Sequence, residues 1–115
     1  MNERIELVSC PLEGSNCKEH RMVINREFYA SQNFFHNKDY SRSILALKIA
    51  FDKTFEIQKT SCLNCAELFR KTITQSLENI HDDLYKMSKG IFATKRYNSS
   101  LELAGNVLNE MKRVE

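Results

Sequence analysis

The feature that most constrains the fold is an apolar stripe with helical spacing in the second half of the chain. Its members recur every three or four residues: Ala66, Phe69, Ile73, Leu77, Ile80, Leu84, Met87 and Ile91. Residues at this spacing share one face of an α-helix, whereas a strand would need alternation with a period of two. The stripe predicts one long helix from about Ser61 or Asn64 to Phe92, with Asn64 and Glu67 as a capping box.

Three shorter stripes predict three more helices. The first helix follows Asn25, a candidate N-cap, and ends before the polar segment 36–39. The second begins after that short break, so the two helices must form an antiparallel hairpin. The last begins at Ser99, where Glu102 completes a second capping box. The stripes are Ile24, Phe28, Ser31 and Phe35, then Tyr40, Ile44, Leu47, Phe51 and Phe55, and finally Leu101, Ala104, Leu108 and Met111.

Composition agrees with one helical domain. Of the 115 residues, 42% are hydrophobic and 28% charged, which is ordinary for a globular protein. Three Gly and one Pro are too few for the frequent turns of an all-β fold. We therefore predict an all-α, four-helix up-down bundle of two helical hairpins with a short Cys-containing N-terminal loop. The single domain spans 1–115, with that N-terminal segment at 1–22 and the bundle at 23–115.

Charge and hydropathy exclude several kinds of partner. The 17 basic and 15 acidic residues are mixed along the chain, whereas a nucleic-acid-binding protein shows a basic stripe. No apolar run approaches the ~18 residues that span a bilayer. The first eight residues are too short and too charged for a secretory signal. We therefore expect a cytoplasmic protein with reduced thiols, and neither nucleic acid nor a membrane as its partner.

Two stretches of the chain, 28–51 and 84–108, resemble tetratricopeptide-type helical hairpins. The matching positions are Phe34, Lys38-Asp39-Tyr40, Ser43, Leu47 and Ala50-Phe51 in the first stretch, and Ser88, Ile91, Lys95-Arg96-Tyr97, Ser100, Ala104 and Val107-Leu108 in the second. They fall at the spacing of the small and large packing positions of that repeat. The resemblance implies paired antiparallel helices. Such bundles present a groove or face to a protein partner, which is an expectation by analogy of fold.

The first hairpin, from Phe28-Tyr29-Ala30 through Asp39-Tyr40-Ser41-Arg42-Ser43, is also similar to the beginning of HEPN four-helix bundles. Members of that family that cleave RNA carry an Arg followed four to six residues later by a His on a late helix. The last histidine here is His81, and the nearest preceding arginine is Arg70. The resemblance therefore implies the four-helix fold without the nuclease motif.

Four cysteines form the motif that points to chemistry. Cys10 and Cys17 bracket a turn-rich loop, and Cys62 and Cys65 have the Cys-x-x-Cys spacing with which one tight turn binds a metal ion. A hairpin of the first two helices would bring Cys17, before helix one, to the end of the bundle where Cys62 and Cys65 follow helix two. We predict that all four cysteines bind one structural zinc ion, in a closed tetrahedral site where His20 could replace one of them.

Other interpretations of the cysteines stay open. They are disulfides in an exported protein, thiol–disulfide exchange by Cys62 and Cys65, and small buried hydrophobes without partner chemistry. We find no pattern that predicts a catalytic residue. The predicted function is a non-enzymatic helical binding or regulatory module for a protein partner, with a homodimer as one form. The alternatives are a thiol–disulfide redox protein and a nucleic-acid-associated bundle without nuclease activity.

Overall fold

The structure, a computed structural model, describes residues 17–59, 63–89 and 95–114. Within these ranges lie four α-helices, α1 (Lys18–His36), α2 (Tyr40–Lys59), α3 (Leu63–Ser88) and α4 (Lys95–Val114), and no strand. None of these helices combines the length and the apolarity that crossing a membrane requires. The predicted all-α four-helix bundle is confirmed. The predicted boundary between an N-terminal segment (1–22) and the bundle (23–115) is too late, because α1 already begins at Lys18, whereas residues 1–16 lie outside the described residues.

Successive helices run in opposite directions. Near the start of α2 the Tyr40 hydroxyl donates to Met87 Sδ at 3.9 Å, close to the end of α3. Three to four turns later Thr54 Oγ1 accepts a hydrogen bond from Arg70 Nε at 2.9 Å, close to the start of α3. Because residue numbers rise along α2 while those of its partners on α3 fall, the two helices are antiparallel.

The central helix of the bundle is α2, which packs against the other three. It runs parallel to α4, because Ser41 and Ser100 have hydroxyls 3.1 Å apart and Lys48 Nζ lies 3.5 Å from Glu110 Oε2. The helices also pack in the two pairs that the predicted hairpins require, α1 with α2 and α3 with α4. The principal neighbour of α1 is therefore α2.

The four predicted stripes form one hydrophobic core. Their buried members are Ile24, Phe28, Ser31, Tyr40, Ile44, Leu47, Phe51, Ala66, Phe69, Ile73, Leu77, Ile80, Leu84, Ala104, Leu108 and Met111. Phe35, Phe55, Met87 and Leu101 are partly buried against this core, and Ile91 lies outside the described residues. Removing this apolar surface from water, at ~25 cal/mol per Å², is the main force that holds the helices together.

Two helices begin earlier than the sequence predicts. The structure places the N-cap of α1 at Cys17 and the start of α4 at Lys95. The N-caps predicted at Asn25 and Ser99 are therefore wrong, since both residues lie inside helices. The start of α3 at Leu63 lies between the two predicted starts, Ser61 and Asn64, and Asn64 is inside the helix rather than its N-cap. For α1 the physical reason is that its buried face extends back to its first turn.

Candidate metal centre at the cysteine end of the bundle

The alternating topology places the N-termini of α1 and α3 at the same end of the bundle. Cys17 is the N-cap residue of α1, and Cys65 is the third residue of α3. We call this end, defined by Cys17, Arg21 and Cys65, the cysteine end. The exposed fraction is 0% for Cys17 and 3% for Cys65, and both belong to the hydrophobic core.

The first turn of α1 is built around Cys17. Arg21 lies four residues further on, and its backbone N–H donates to the Cys17 carbonyl oxygen at 2.8 Å. The side chain of the same residue turns back along the helix, and its Nε donates to Cys17 Sγ at 3.2 Å. Helical side chains lean towards the N-terminus, so the long Arg21 side chain reaches this sulfur without leaving the helix surface. The cysteine sulfur is therefore the acceptor of a hydrogen bond from a cation.

Arg21 is buried, with 9% of its surface exposed. Charged side chains are rarely buried unless they are paired, because desolvating an ion costs several kcal/mol even after relaxation. Here the cation lies at a helix N-terminus, which itself carries a positive partial charge. The cysteine end is therefore a buried region in which a guanidinium group lies against the Cys17 sulfur.

The structure describes two of the four predicted zinc ligands, and it brings Cys17 and Cys65 to the same end. Cys10 and Cys62 lie outside the described residues. His20, the predicted substitute ligand, lies in the first turn of α1 and is half-buried. In the described part of the chain, no three His, Cys, Asp or Glu side chains form a group that could hold a metal ion. The four-cysteine zinc site therefore stays a prediction.

Arg21 is a residue of this site that the sequence-based prediction did not include. Its signal was present, because Cys17, Arg21, Ile24 and Phe28 follow one another at spacings of four, three and four. These spacings continue the buried stripe of α1 back to its first turn. Guanidinium groups normally lie at the protein surface, so an arginine within an apolar stripe is not expected to be buried. Arg21 is buried four residues after the candidate ligand Cys17 and donates to its sulfur, so the two residues belong to the same site.

Apolar side chains are also exposed at the cysteine end. They are Met22 in α1 and Leu63 and Leu68 in the first two turns of α3, with exposed fractions of 56%, 47% and 51%. Single exposed aliphatic residues are common on protein surfaces. These three lie in the first two turns of α1 and α3, the same turns that contain the two buried cysteines.

Comparisons of the chain with known protein families, with curated proteins and with solved structures find no match. The resemblances to tetratricopeptide hairpins and to HEPN bundles therefore stay predictions. The geometry of the cysteine end carries the functional proposal.

Proposed function

We propose that this chain is a non-enzymatic helical binding module whose cysteine end is fixed by a structural zinc site with Cys10, Cys17, Cys62 and Cys65 as ligands. The observation that carries the proposal is the burial of Cys17 and Cys65 at one end of the bundle, with the Arg21 guanidinium against the Cys17 sulfur. Four thiolates close the coordination shell of zinc, leave no position for a water molecule, and so suit a structural rather than a catalytic metal.

A metal at this end would have a mechanical role. The principal neighbour of α1 is α2, and an open groove lies between Phe28 and Gln32 of α1 and Gln75 and Asn79 of α3. A zinc ion bound by Cys17 before α1 and by Cys65 within α3 would tie the two hairpins together at one end of that groove. The site would thereby stabilise the position of α1 relative to α3, two helices that pack against each other only weakly.

Metal analysis tests the zinc site. Protein purified without added metal should contain stoichiometric zinc, and its thiols should react with a thiol reagent only after a chelator is added. Replacing zinc by Co²⁺ should produce the visible absorption of a tetrahedral thiolate site. Cys65→Ser should weaken metal binding strongly. The control His20→Ala should keep the metal, because the four thiolates already complete the site.

The alternatives give different results in the same experiment. Zinc-free protein in which Cys62 and Cys65 oxidise and are reduced reversibly would support thiol–disulfide exchange instead. Zinc-free protein whose four thiols are inert would overturn both the zinc site and the redox alternative. It would leave the cysteines as small buried hydrophobes.

The binding role rests on the exposed aliphatic side chains at the cysteine end. We propose that a protein partner covers Met22 and Leu68 with apolar side chains of its own, because burying such surface drives association. Met22→Glu and Leu68→Glu should then abolish copurification of the partner and its binding to this chain after both are purified. The matched control is Leu45→Glu on α2, where the native leucine is 45% exposed but far from the cysteine end.

Sedimentation of the purified chain separates a homodimer from a second protein. If the partner is another copy, the wild type and Leu45→Glu should sediment as dimers, and Leu68→Glu should sediment as a monomer. Binding or self-association that is equally strong in all variants would contradict the assignment of this face.

A further inference from the structure

The outer side of α2 carries apolar side chains that the packing of the bundle does not use. The helix packs against α1, α3 and α4, and its contacts with α3 include Thr54. Leu45 precedes Thr54 by about two and a half helical turns, so the two residues lie on opposite sides of α2. On the side of Leu45 the exposed fractions are 45% for Leu45 and 53% for Ile49. The central helix of the bundle therefore presents an aliphatic pair, one turn apart, to the outside.

This aliphatic pair belongs to a line of exposed residues with the spacing of a coiled coil. Arg42, Leu45, Ile49 and Asp52 follow one another at spacings of three, four and three, and all four are exposed. Helices in coiled coils contact one another through positions at this spacing. We call these four residues the α2 seam. Single exposed aliphatic residues are common on protein surfaces, whereas an aliphatic pair flanked by opposite charges at coiled-coil spacing suits contact with another helix.

The seam is complementary to itself. Leu45 and Ile49 lie two residues before and after Leu47, and Arg42 and Asp52 lie five residues before and after it. A second copy of α2 that runs antiparallel, with the twofold axis at the level of Leu47, places Leu45 of each copy against Ile49 of the other. The same symmetry places Arg42 of each copy against Asp52 of the other. The apolar pairs then lie at the centre of the contact and the ion pairs at its edge, as in other protein interfaces.

The charges also select the direction of the second helix. A parallel copy in the same register would place Arg42 against Arg42 and Asp52 against Asp52, and like charges in contact cost free energy. Within the chain, Arg42 Nε lies 3.4 Å from Asp39 Oδ2, and the Arg42 side chain is 72% exposed. An exposed ion pair of this kind contributes little, so it does not prevent the arginine from pairing across an interface. The charge pattern therefore favours the antiparallel pair.

We infer that this chain forms an antiparallel homodimer through the α2 seam. The inference goes beyond the proposed function, because it assigns the surface on which a second copy binds and leaves the cysteine end to a different protein. It does not depend on the zinc site. In the dimer the central helices of two bundles pack against each other, and burial of Leu45 and Ile49 drives the association.

Sedimentation of the purified chain over a range of concentrations tests the apolar centre of the seam. The wild type should sediment as a dimer, and Leu45→Glu and Ile49→Glu as monomers, because each would bury a carboxylate in the contact. The matched control is Tyr85→Glu on α3, where the native tyrosine is 47% exposed, and it should stay dimeric. Circular dichroism of each variant establishes that the helices are intact. Leu45→Glu should still bind the partner of the cysteine end.

Charge reversal tests the antiparallel register. Arg42→Asp and Asp52→Arg each bring like charges together, so the dissociation constant of each homodimer should rise by at least ~10-fold. Mixed in equal amounts, the two variants should form a heterodimer, because one chain is then acidic and the other basic at both positions. The double variant Arg42→Asp/Asp52→Arg should restore the homodimer. Recovery in the mixture needs folded chains, so this test separates loss of pairing from loss of the fold.

Several results would overturn the inference. One is a wild-type chain that stays monomeric at all concentrations, because the seam would then not bind a second copy. Another is a dimer that Leu68→Glu abolishes and Leu45→Glu preserves, since the second copy would then lie on the cysteine end. Arg42→Asp and Asp52→Arg variants that dimerise as strongly as the wild type, or that stay monomeric when mixed, would contradict the antiparallel pairing. Failure of the zinc site alone would leave the dimer unaffected.

Discussion

At the scale of single residues, the connection between α1 and α2 contains an unfavourable backbone conformation. Lys38 has φ of 63°, in the left-handed region that glycine occupies at helix C-termini. The surrounding hydrogen bonds form a Schellman motif, because Asp39 N–H donates to the Phe34 carbonyl at 2.8 Å and Lys38 N–H to the Phe35 carbonyl at 3.0 Å. A lysine side chain is strained at this position, whereas glycine would not be.

We predict that Lys38→Gly stabilises the protein, by about 0.5–1 kcal/mol, because it relieves the left-handed strain without removing a backbone hydrogen bond. The neighbouring Asn37→Gly is the matched control. Asn37 has φ of −86°, which suits any residue, so glycine there should be neutral or destabilising. Urea unfolding monitored by circular dichroism measures both changes. A Lys38→Gly variant less stable than the wild type would contradict the prediction.

At the scale of helices, α1 and α2 meet through two small polar residues. Ser31 Oγ donates to the Ser43 carbonyl at 2.8 Å, and Ser43 Oγ donates to the Ser31 carbonyl at 2.8 Å. The two hydroxyl oxygens are 2.9 Å apart, and the exposed fractions are 1% and 0%. Small side chains allow the two backbones to approach closely, and the paired bonds satisfy both hydroxyls inside the core. The hairpin is thereby held by a reciprocal polar contact within an apolar interface.

We predict strong coupling between these two serines. Ser31→Ala and Ser43→Ala should each cost about 1–3 kcal/mol, because each leaves buried polar groups of the other residue with fewer partners. The double variant should cost less than the sum of the two, with a coupling energy of roughly 0.5–3 kcal/mol. A double-mutant cycle by chemical denaturation measures this energy. Ser41 and Ser100, whose hydroxyls are 3.1 Å apart at a partly buried contact, provide the comparison cycle and should couple more weakly.

The contact between α2 and α3 also depends on one polar side chain. Arg70 Nε donates to Thr54 Oγ1 at 2.9 Å, its Nη2 donates to Gln58 Oε1 at 2.6 Å, and its guanidinium carbon lies 4.2 Å from the centre of the Phe55 ring. One arginine therefore joins α3 to three residues of α2, which span more than one helical turn. This arrangement aligns the two helices along their axes, which the apolar core alone would specify less strictly.

At the scale of the whole molecule, a single core connects all four helices, and Phe69 is a large side chain at its centre with no exposed surface. We predict that Phe69→Ala costs about 3–5 kcal/mol of unfolding free energy, because it leaves a cavity in a core of limited size. Leu68→Ala is the control, since the adjacent leucine is 51% exposed and its loss should change stability by less than ~0.5 kcal/mol. Equal effects in the two variants would show that the α3 stripe does not face the core.

Removal of the proposed zinc should act on the whole fold. The apparent binding free energy of structural zinc reaches ~10–16 kcal/mol in small peptides, and in such sites binding energy contributes directly to folding. A chelator should therefore lower the melting temperature strongly, and Cys62→Ser should do nearly as much damage. His20→Ala should change little. A melting temperature unaffected by the chelator, in protein shown to release its zinc, would mean that the metal does not hold the bundle together.

The packing of the helices leaves α1 with fewer neighbours than α2. The central helix α2 contacts its three neighbours, whereas α1 lies at the side with α2 as its principal partner. The molecule is correspondingly flat, with extents of 54, 38 and 15 Å. A helix that packs mainly against one neighbour buries less surface than the central helix of a small domain. A link between Cys17 of α1 and Cys65 of α3 would oppose fraying at that edge.

The amino-acid sequence by itself determined how many helices form and which face of each is buried. Apolar residues spaced three or four apart favour a helix that buries the face they share. The stripes around Ile44 and Ile73 therefore predicted the observed core. The same spacing and the short connection at 37–39 were enough to predict the first hairpin. Helix periodicity and the short connection depend on residues that are close together in the sequence, so the sequence is enough to predict them.

Tertiary structure alone decided where the helices begin and what the polar residues on the stripes do. Asn25 has the chemistry of an N-cap, yet α1 continues through it because Cys17 and Arg21 are also buried on that face. The buried Arg21 donates to the Cys17 sulfur, four residues away at the same end of the bundle. Sequence periodicity describes which positions face inward. It cannot specify which of them carry a charge into the core, because that depends on the partner that packing places within hydrogen-bond distance.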